Sequence, residues 1–334
     1  MKAMVLRKTN TIEKLPLIYT EILKPEPQQN EIRIKIRTCG VCHTDLHEIE
    51  GDLPTKKLNL VPGHEIIGIV DKCGINVENF SNGDRVGVPW LYSACGTCKY
   101  CKRGQENLCD NAKFTGYNVN GGYAEYMVVS SNFAYKIPLI FSDAEAAPLM
   151  CAGVIGYRSI RLSQIKPGET LGLFGFGASA HIVIQIALYW KCKVFVFTRS
   201  KNHQEHARKL GASWVGTSKD NPPRKIDSAI SFVPSGLIIH DILRVLDKGG
   251  TLAINAIHLT DIPAIQWNLL YYERQIISVA NTTRQDAIEF LKLAGEIPIK
   301  IEVQTYNLKD ANKALQDLKN SKFNGAAVLL IEEK

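Results

Sequence analysis

Four cysteines, Cys95, Cys98, Cys101 and Cys109, fall within the segment SACGTCKYCKRGQENLCD. Four thiols this close in sequence must either crosslink or converge on a metal, and few folds accommodate either. The spacing C-x2-C-x2-C-x7-C suits four thiolates arranged tetrahedrally about one Zn2+, because two intervening residues let a tight turn aim both sulfurs inward. Gly96 and Gly104 supply the turns that such a knuckle needs. Disulfides and an iron–sulfur cluster are the competing readings. Four protein ligands close the coordination sphere of zinc, so a metal held here staples a lobe and offers no place to a substrate.

Disulfides persist only where the environment is oxidising. The N-terminus, MKAMVLRKTNTIEKLPL, has no long apolar run of the kind an export signal carries. No stretch reaches the roughly 18 consecutive apolar residues that a membrane span requires. The expectation is a soluble, cytoplasmic protein with no membrane partner. At 334 residues the chain has room for about two domains. Its formal charge of +7 is modest, and its Lys and Arg residues are dispersed rather than blocked, which disfavours a nucleic-acid partner.

Hydrophobic period changes along the chain. Up to about residue 150 apolar residues alternate, as in EIRIKIRT, where Ile32, Ile34 and Ile36 are expected on one face and Arg33, Lys35 and Arg37 on the other. Turns such as VPGHE and SNGDRVGV punctuate this part, which reads as mostly β. From about Cys151 the pattern becomes strand then helix: TLGLFGFG, the long apolar ASAHIVIQIALYW, the buried strand KVFVFT, then IDSAISF and GTLAINAI. That is the βαβ rhythm of a doubly wound parallel sheet. The expected fold class is therefore α/β, with a mostly β domain over residues 1–147, a nucleotide-binding domain over 148–282, and a C-terminal segment of about 283–334 that completes the first.

Gly175, Gly177 and Ala180 form G-x-G-x-x-A directly after a predicted strand and at the start of a predicted helix. The first glycine permits the tight turn, and the second lets the backbone approach a pyrophosphate seated on the positive helix N-terminus. An NAD enzyme usually places Asp or Glu about 20 residues further on, where the carboxylate accepts from the ribose 2′-OH. Here the sequence reads FVFTRSKNH, with Thr198 in the acidic position, then Arg199 and Ser200. No carboxylate repels a 2′-phosphate and Arg199 can pair with one, so NADP is favoured over NAD.

A second set of soft ligands lies in CGVCHTDLHEIEGD and VPGHEIIG. A catalytic zinc takes about three protein ligands and keeps one position open. Cys42, His64 and Cys151 can supply two thiolates and an imidazole. The segments GVCHTDLH, GHE, the four-cysteine lobe, PLMCAGVIGY and GFGASA follow one another in an order that resembles the zinc-dependent alcohol dehydrogenases of the medium-chain dehydrogenase/reductase family, including its cinnamyl and primary alcohol dehydrogenases. The resemblance covers essentially the whole chain.

That resemblance implies a Rossmann domain joined to a GroES-like catalytic domain with a structural zinc lobe, two zinc ions per chain, and reversible hydride transfer between a primary alcohol or aldehyde and NAD(P). It implies that Cys42, His64 and Cys151 hold the catalytic zinc, and that Glu65 is a nearby carboxylate able to approach it. Asp45 resembles the carboxylate that orients a ligand histidine, Thr44 and His47 resemble a proton relay, and His43 faces the cofactor pyrophosphate. Ala256 joins Thr198, Arg199 and Ser200 among the cofactor-binding positions. Trp90 and Leu53 are expected to wall an apolar substrate slot, and Cys39, Cys73 and Cys192 to be small packing residues. Ile155 and Asn324 depart from the family pattern at the cofactor, and Lys322 is a candidate substitute for an absent arginine. A homotetramer, or failing that a homodimer, is implied as well. Alternatives are a relative acting on another carbonyl or a polyol, a nucleotide sensor without turnover, and a zinc-ribbon nucleic-acid binder.

Overall fold

The computed structural model describes residues 1–54, 56–297 and 299–331. Its backbone contacts divide the chain into two units, one of Met1–Cys151, Asn281–Glu296 and Ile301–Lys334, the other of Ala152–Ala280 and Ile297–Lys300.

In the first unit the alternating run becomes an eleven-residue strand, Glu31–Val41, and the whole sheet is arranged around it. One edge pairs antiparallel with Glu65–Cys73. The other is shared, its first half pairing with Tyr126–Ser130 and its last residues with Ala326–Leu330. Val303–Asn307, Arg85–Val88 and Tyr135–Lys136 extend the sheet to seven strands. Ile32, Ile34 and Ile36 are fully buried, as the two-residue period requires. Arg33 is buried too, against the simple alternation, because its guanidinium lies 2.6 Å from both Asp71 and Glu26 and is covered by them. Past Ile36 the alternation stops. Thr38, Cys39, Gly40 and Val41 are all buried, because this end of the strand leads into the site.

The segment that follows Leu60 is held by glycines. Gly63 has φ +97°, and Gly116 and Gly121 approach it so closely that a side chain on either would meet its backbone. Gly121 N–H donates to Val61 O (2.7 Å), Gly122 N–H to Gly63 O (2.9 Å) and Tyr123 N–H to Pro62 O (3.0 Å). Residue 64 is thereby fixed beside Tyr123.

The second unit is a six-stranded parallel sheet in the order Trp214–Gly216, Lys193–Phe197, Thr170–Phe174, Ile226–Ser231, Leu246–Ile254, Gln275–Ser278. The first strand in sequence lies inside the sheet, and the chain reverses direction beside it, which is the doubly wound order. Thr170–Phe174 is buried along its whole length, as expected of a central strand covered on both faces. Phe174 and Phe197 stack with ring centroids 4.2 Å apart on adjacent strands. The α/β class and the nucleotide-type sheet read from the sequence are both present. Among the described residues no helix is long and apolar enough to cross a membrane.

Gly63→Ala would drive a methyl group into the Tyr123 ring and within 2.8 Å of Cys39 Sγ, at a φ that only glycine adopts without strain. The expected outcome is a loss of about 3 kcal/mol or more, read from the urea unfolding midpoint at unchanged slope.

Candidate functional site

Cys42 ends the central strand and caps the helix His43–Glu50. Its backbone is still extended, its Sγ accepts from Thr44 N–H (3.4 Å), and its own N–H donates to Asp45 Oδ2 (2.9 Å). Asp45 is fully buried and holds two more elements of the site. Its Oδ1 accepts from His64 Nδ1 (2.9 Å) and its Oδ2 from Tyr123 Oη (3.2 Å). A carboxylate only accepts, so Nδ1 of His64 carries the proton and Nε2 keeps its lone pair for a cation.

Glu65 follows on the strand Glu65–Cys73 and is buried. It pairs across the sheet with Gly40, where any side chain would displace its carboxylate. Cys151 ends the 3-10 turn Ala147–Met150. One donor atom from each of Cys42, His64, Glu65 and Cys151 lies within 4.8 Å of all the others. The sulfurs of Cys42 and Cys151 are 3.8 Å apart. That contact, with His64 beside it, holds the Cys42 thiol well below its usual range and pushes Cys151 well up. Burial, then the Cys42 sulfur, pushes the Glu65 carboxyl up as well. Two half-buried sulfurs and a buried carboxylate this close together repel one another as anions, and a cation among them removes the conflict. Sulfur, imidazole and carboxylate together are a zinc donor set.

Cys95, Cys98, Cys101 and Cys109 form a second group of the same span. Here backbone amides point at the sulfurs: Cys98 N–H at Cys95 Sγ (3.4 Å), Cys101 N–H at Cys98 Sγ (3.5 Å) and Cys95 N–H at Cys109 Sγ (3.4 Å). The backbone amides of Thr97 and Cys98 hold the Cys95 thiol down to about 6. Gly96 and Gly104 take positive φ, at +74° and +67°. All nine cysteines are unpaired thiols, and Cys39, Cys73 and Cys192 lie outside both groups.

The other sequence candidates in the first unit surround the first group. Thr44 is nearly buried on the first helical turn, next to exposed His43. His47 is partly exposed, with Nδ1 2.8 Å from Asp52 Oδ2. Lys322 is held 3.1 Å from Asp317, so its charge is already committed.

In the second unit Gly175 (φ +86°) leaves the strand Thr170–Phe174, and Gly177 caps the helix Ala178–Tyr189 with no side chain of its own. Nothing lies within 4 Å of where a Gly177 side chain would stand, so the helix N-terminus faces open space. Ala180 is buried in the first turn. Thr198 follows the next strand, its N–H on Gly216 O (2.8 Å) and its carbonyl accepting from Gln204 (2.8 Å). Arg199 is exposed, and Ser200 caps the helix Lys201–Lys209 through His203 N–H (3.4 Å). Ala256 lies just beyond the carboxyl end of Leu246–Ile254. Gly175, Thr198 and Ala256 thus follow the carboxyl ends of three parallel strands, the edge at which open α/β sheets bind ligands.

Residues 28–139 match the alcohol dehydrogenase GroES-like domain, and residues 180–296 match the zinc-binding dehydrogenase domain. A probable alcohol dehydrogenase, AdhA, of Mycobacterium tuberculosis is 44% identical over 99% of this chain and 97% of its own length. An alcohol dehydrogenase of Geobacillus stearothermophilus is 35% identical over 96% and 97%. The chain belongs to the zinc-dependent alcohol dehydrogenases of the medium-chain family. Its fold matches that of a cinnamyl alcohol dehydrogenase from Sorghum bicolor with a TM-score of 0.91, at 25% identity over 100% of this chain and 99% of the other. An alcohol dehydrogenase from Aeropyrum pernix gives 0.87, at 26% identity over 99% and 100%. As an alcohol dehydrogenase the chain is an oxidoreductase that uses zinc and a nicotinamide cofactor.

Two contributors to this alcohol dehydrogenase's site escaped the sequence reading. Tyr123 reaches Asp45 from 78 positions away, and no local pattern announces such a contact. Glu48 was legible in principle, since it stands four residues after Thr44 on one helix and so shares its face.

Asp45→Asn would place an amide where His64 Nδ1–H, Cys42 N–H and Tyr123 Oη all donate. Metal affinity at this site is expected to fall about 10- to 100-fold, read by competition with a zinc chelator.

Proposed function

We infer that this chain oxidises primary alcohols and reduces the matching aldehydes with NADP, through a catalytic zinc on Cys42, His64 and Cys151 and a structural zinc on Cys95, Cys98, Cys101 and Cys109. The observation that carries this is the close donor set of Cys42, His64, Glu65 and Cys151, with buried Asp45 fixing the imidazole from behind. Zinc bound there supplies Lewis acidity to a hydroxyl or carbonyl oxygen, and the nicotinamide accepts or returns the hydride.

The protein's own groups handle the proton and the charge. Thr44, nearly buried beside Cys42, would accept the proton of the substrate hydroxyl while releasing its own toward His47. The His47 imidazole, held by Asp52 and partly exposed, would take up that proton and release one to water. Glu65, within donor range of both sulfurs, serves as the exchangeable ligand when one substrate leaves and the next arrives. His43, Gly175, Gly177 and Ala180 hold the pyrophosphate, with Ala256 along the cofactor. The first domain is assigned residues 1–147, completed by about 283–334, and the nucleotide domain 148–282. Four thiols poised for a metal rather than joined as disulfides support a reducing, cytoplasmic setting.

The preference for NADP rests on Thr198, Arg199 and Ser200, where no carboxylate stands. Assembly into a homotetramer, or failing that a homodimer, is supported by the edge strand Gln275–Ser278 and by exposed Trp267, Tyr271 and Tyr272 near it.

Metal analysis is expected to give two zinc ions per chain, falling to one in Cys98→Ser with a lower unfolding temperature. Cys42→Ser is expected to lose NADPH-dependent aldehyde reduction while still binding the cofactor. A wild-type protein that holds NADPH tightly but turns over no alcohol or aldehyde would be a sensor instead.

Arg199→Asp is expected to lower the ratio of kcat/KM with NADP to that with NAD by about 10- to 100-fold, the worth of one charge-assisted hydrogen bond. An unchanged ratio in steady-state kinetics would assign the cofactor preference to other residues.

A further inference from the structure

Trp90 and Leu53 are read as walls of an apolar substrate slot. The helix that carries Thr44 also carries a buried carboxyl group, that of Glu48. Glu48 lies one helical turn after Thr44, so the two side chains leave the same face about 6 Å apart along the axis. Glu48 is 4% exposed, and neither of its carboxyl oxygens has a hydrogen-bond partner among the described residues. Its charged neighbours are Asp45, His64 and Cys42, which places it at the metal cluster. Trp90, whose ring centroid is 6.1 Å from that of His64 and which stacks on Phe114 at 4.5 Å, has its Nε1–H buried without a partner as well. Burial first, then the Asp45 carboxylate, pushes the Glu48 carboxyl well up, and the nearby indole N–H opposes this only weakly, without hydrogen-bonding geometry. Tyr117, the phenol that feels Glu48 from the other side, has its hydroxyl committed to Pro54 O (2.8 Å).

A buried carboxyl without a partner costs several kcal/mol, and nothing in the packing returns that cost. Groups of this kind in a binding pocket are satisfied by the ligand. An oxygen acceptor on Glu48 and an N–H donor on Trp90 together complement a group that both donates and accepts. A hydroxyl does so, whereas an ammonium has no lone pair for the indole.

We propose that Glu48 and Trp90 form a second recognition point of the substrate pocket, and that the preferred substrate is an alcohol or aldehyde bearing a further hydroxyl a few bonds from the reacting carbon. The proposal rests on the dehydrogenase activity inferred above.

The test compares kcat/KM for 1,4-butanediol and 1,3-propanediol with that for 1-butanol and 1-pentanol. Wild type is expected to favour the diols at least 10-fold. Glu48→Leu is expected to lower the diol-to-alkanol ratio about 10²-fold, and Trp90→Phe about 10-fold. Glu48→Gln, which keeps an acceptor of the same shape, is expected to retain most of the ratio. Thermal unfolding separates this from a structural role, because removing an unpaired buried carboxyl in Glu48→Leu raises the midpoint, whereas removing a structural contact lowers it. The proposal fails if Glu48→Leu scales diols and alkanols alike, or if its midpoint falls with the ratio intact. Wild-type turnover with no preference for diols defeats the second recognition point alone, whereas no turnover of any alcohol defeats the dehydrogenase activity along with it.

Discussion

The site depends on one buried carboxylate. Asp45 accepts from the His64 ring, the Cys42 backbone and the Tyr123 hydroxyl, and so ties together a helix start, a strand start and a distant loop. A charged group with no access to water is tolerable only when its lone pairs are taken up. Here the donors that satisfy it belong to Cys42 and His64, two of the four residues whose donor atoms converge, and to Tyr123. Stability and ligand geometry therefore draw on the same three hydrogen bonds.

Much of this was legible in the sequence because the chemistry is local. Cys42 caps one short helix that carries Thr44, Asp45 and His47, and the spacing of the cysteines 95–109 carries its own geometry. The G-x-G-x-x-A turn could be read because a strand and a helix flank it. The alternation of EIRIKIRT gave the burial of its isoleucines but not that of Arg33, because the covering carboxylates of Glu26 and Asp71 come from other segments. Tyr123 was invisible for the same reason.

The two cysteine groups show how position decides what similar ligands do. The four-cysteine lobe sits in a loop, three of its sulfurs reach solvent in part, and backbone amides aim at them, which is a means of holding anions in place. The group around Cys42 has only two sulfurs, both half-buried, and adds a buried imidazole and a buried carboxylate. Four sulfurs are enough to close a tetrahedral coordination sphere, whereas two sulfurs and an imidazole are a donor set that can leave one position open.

The contact of Gly63 with Gly116 and Gly121 has a consequence for how such a chain can change. A side chain at Gly116 or Gly121 would meet the Gly63 backbone, and one at Gly63 would meet the Tyr123 ring and Cys39 Sγ, so relief at any of the three would shift the segment that carries residue 64. Drift there is blocked in three places at once, and no single second-site change restores the fit. Libraries meant to broaden substrate range will retain more folded members if they leave this trio untouched and vary the side chains around Glu48, where the constraint is one of chemistry rather than of space.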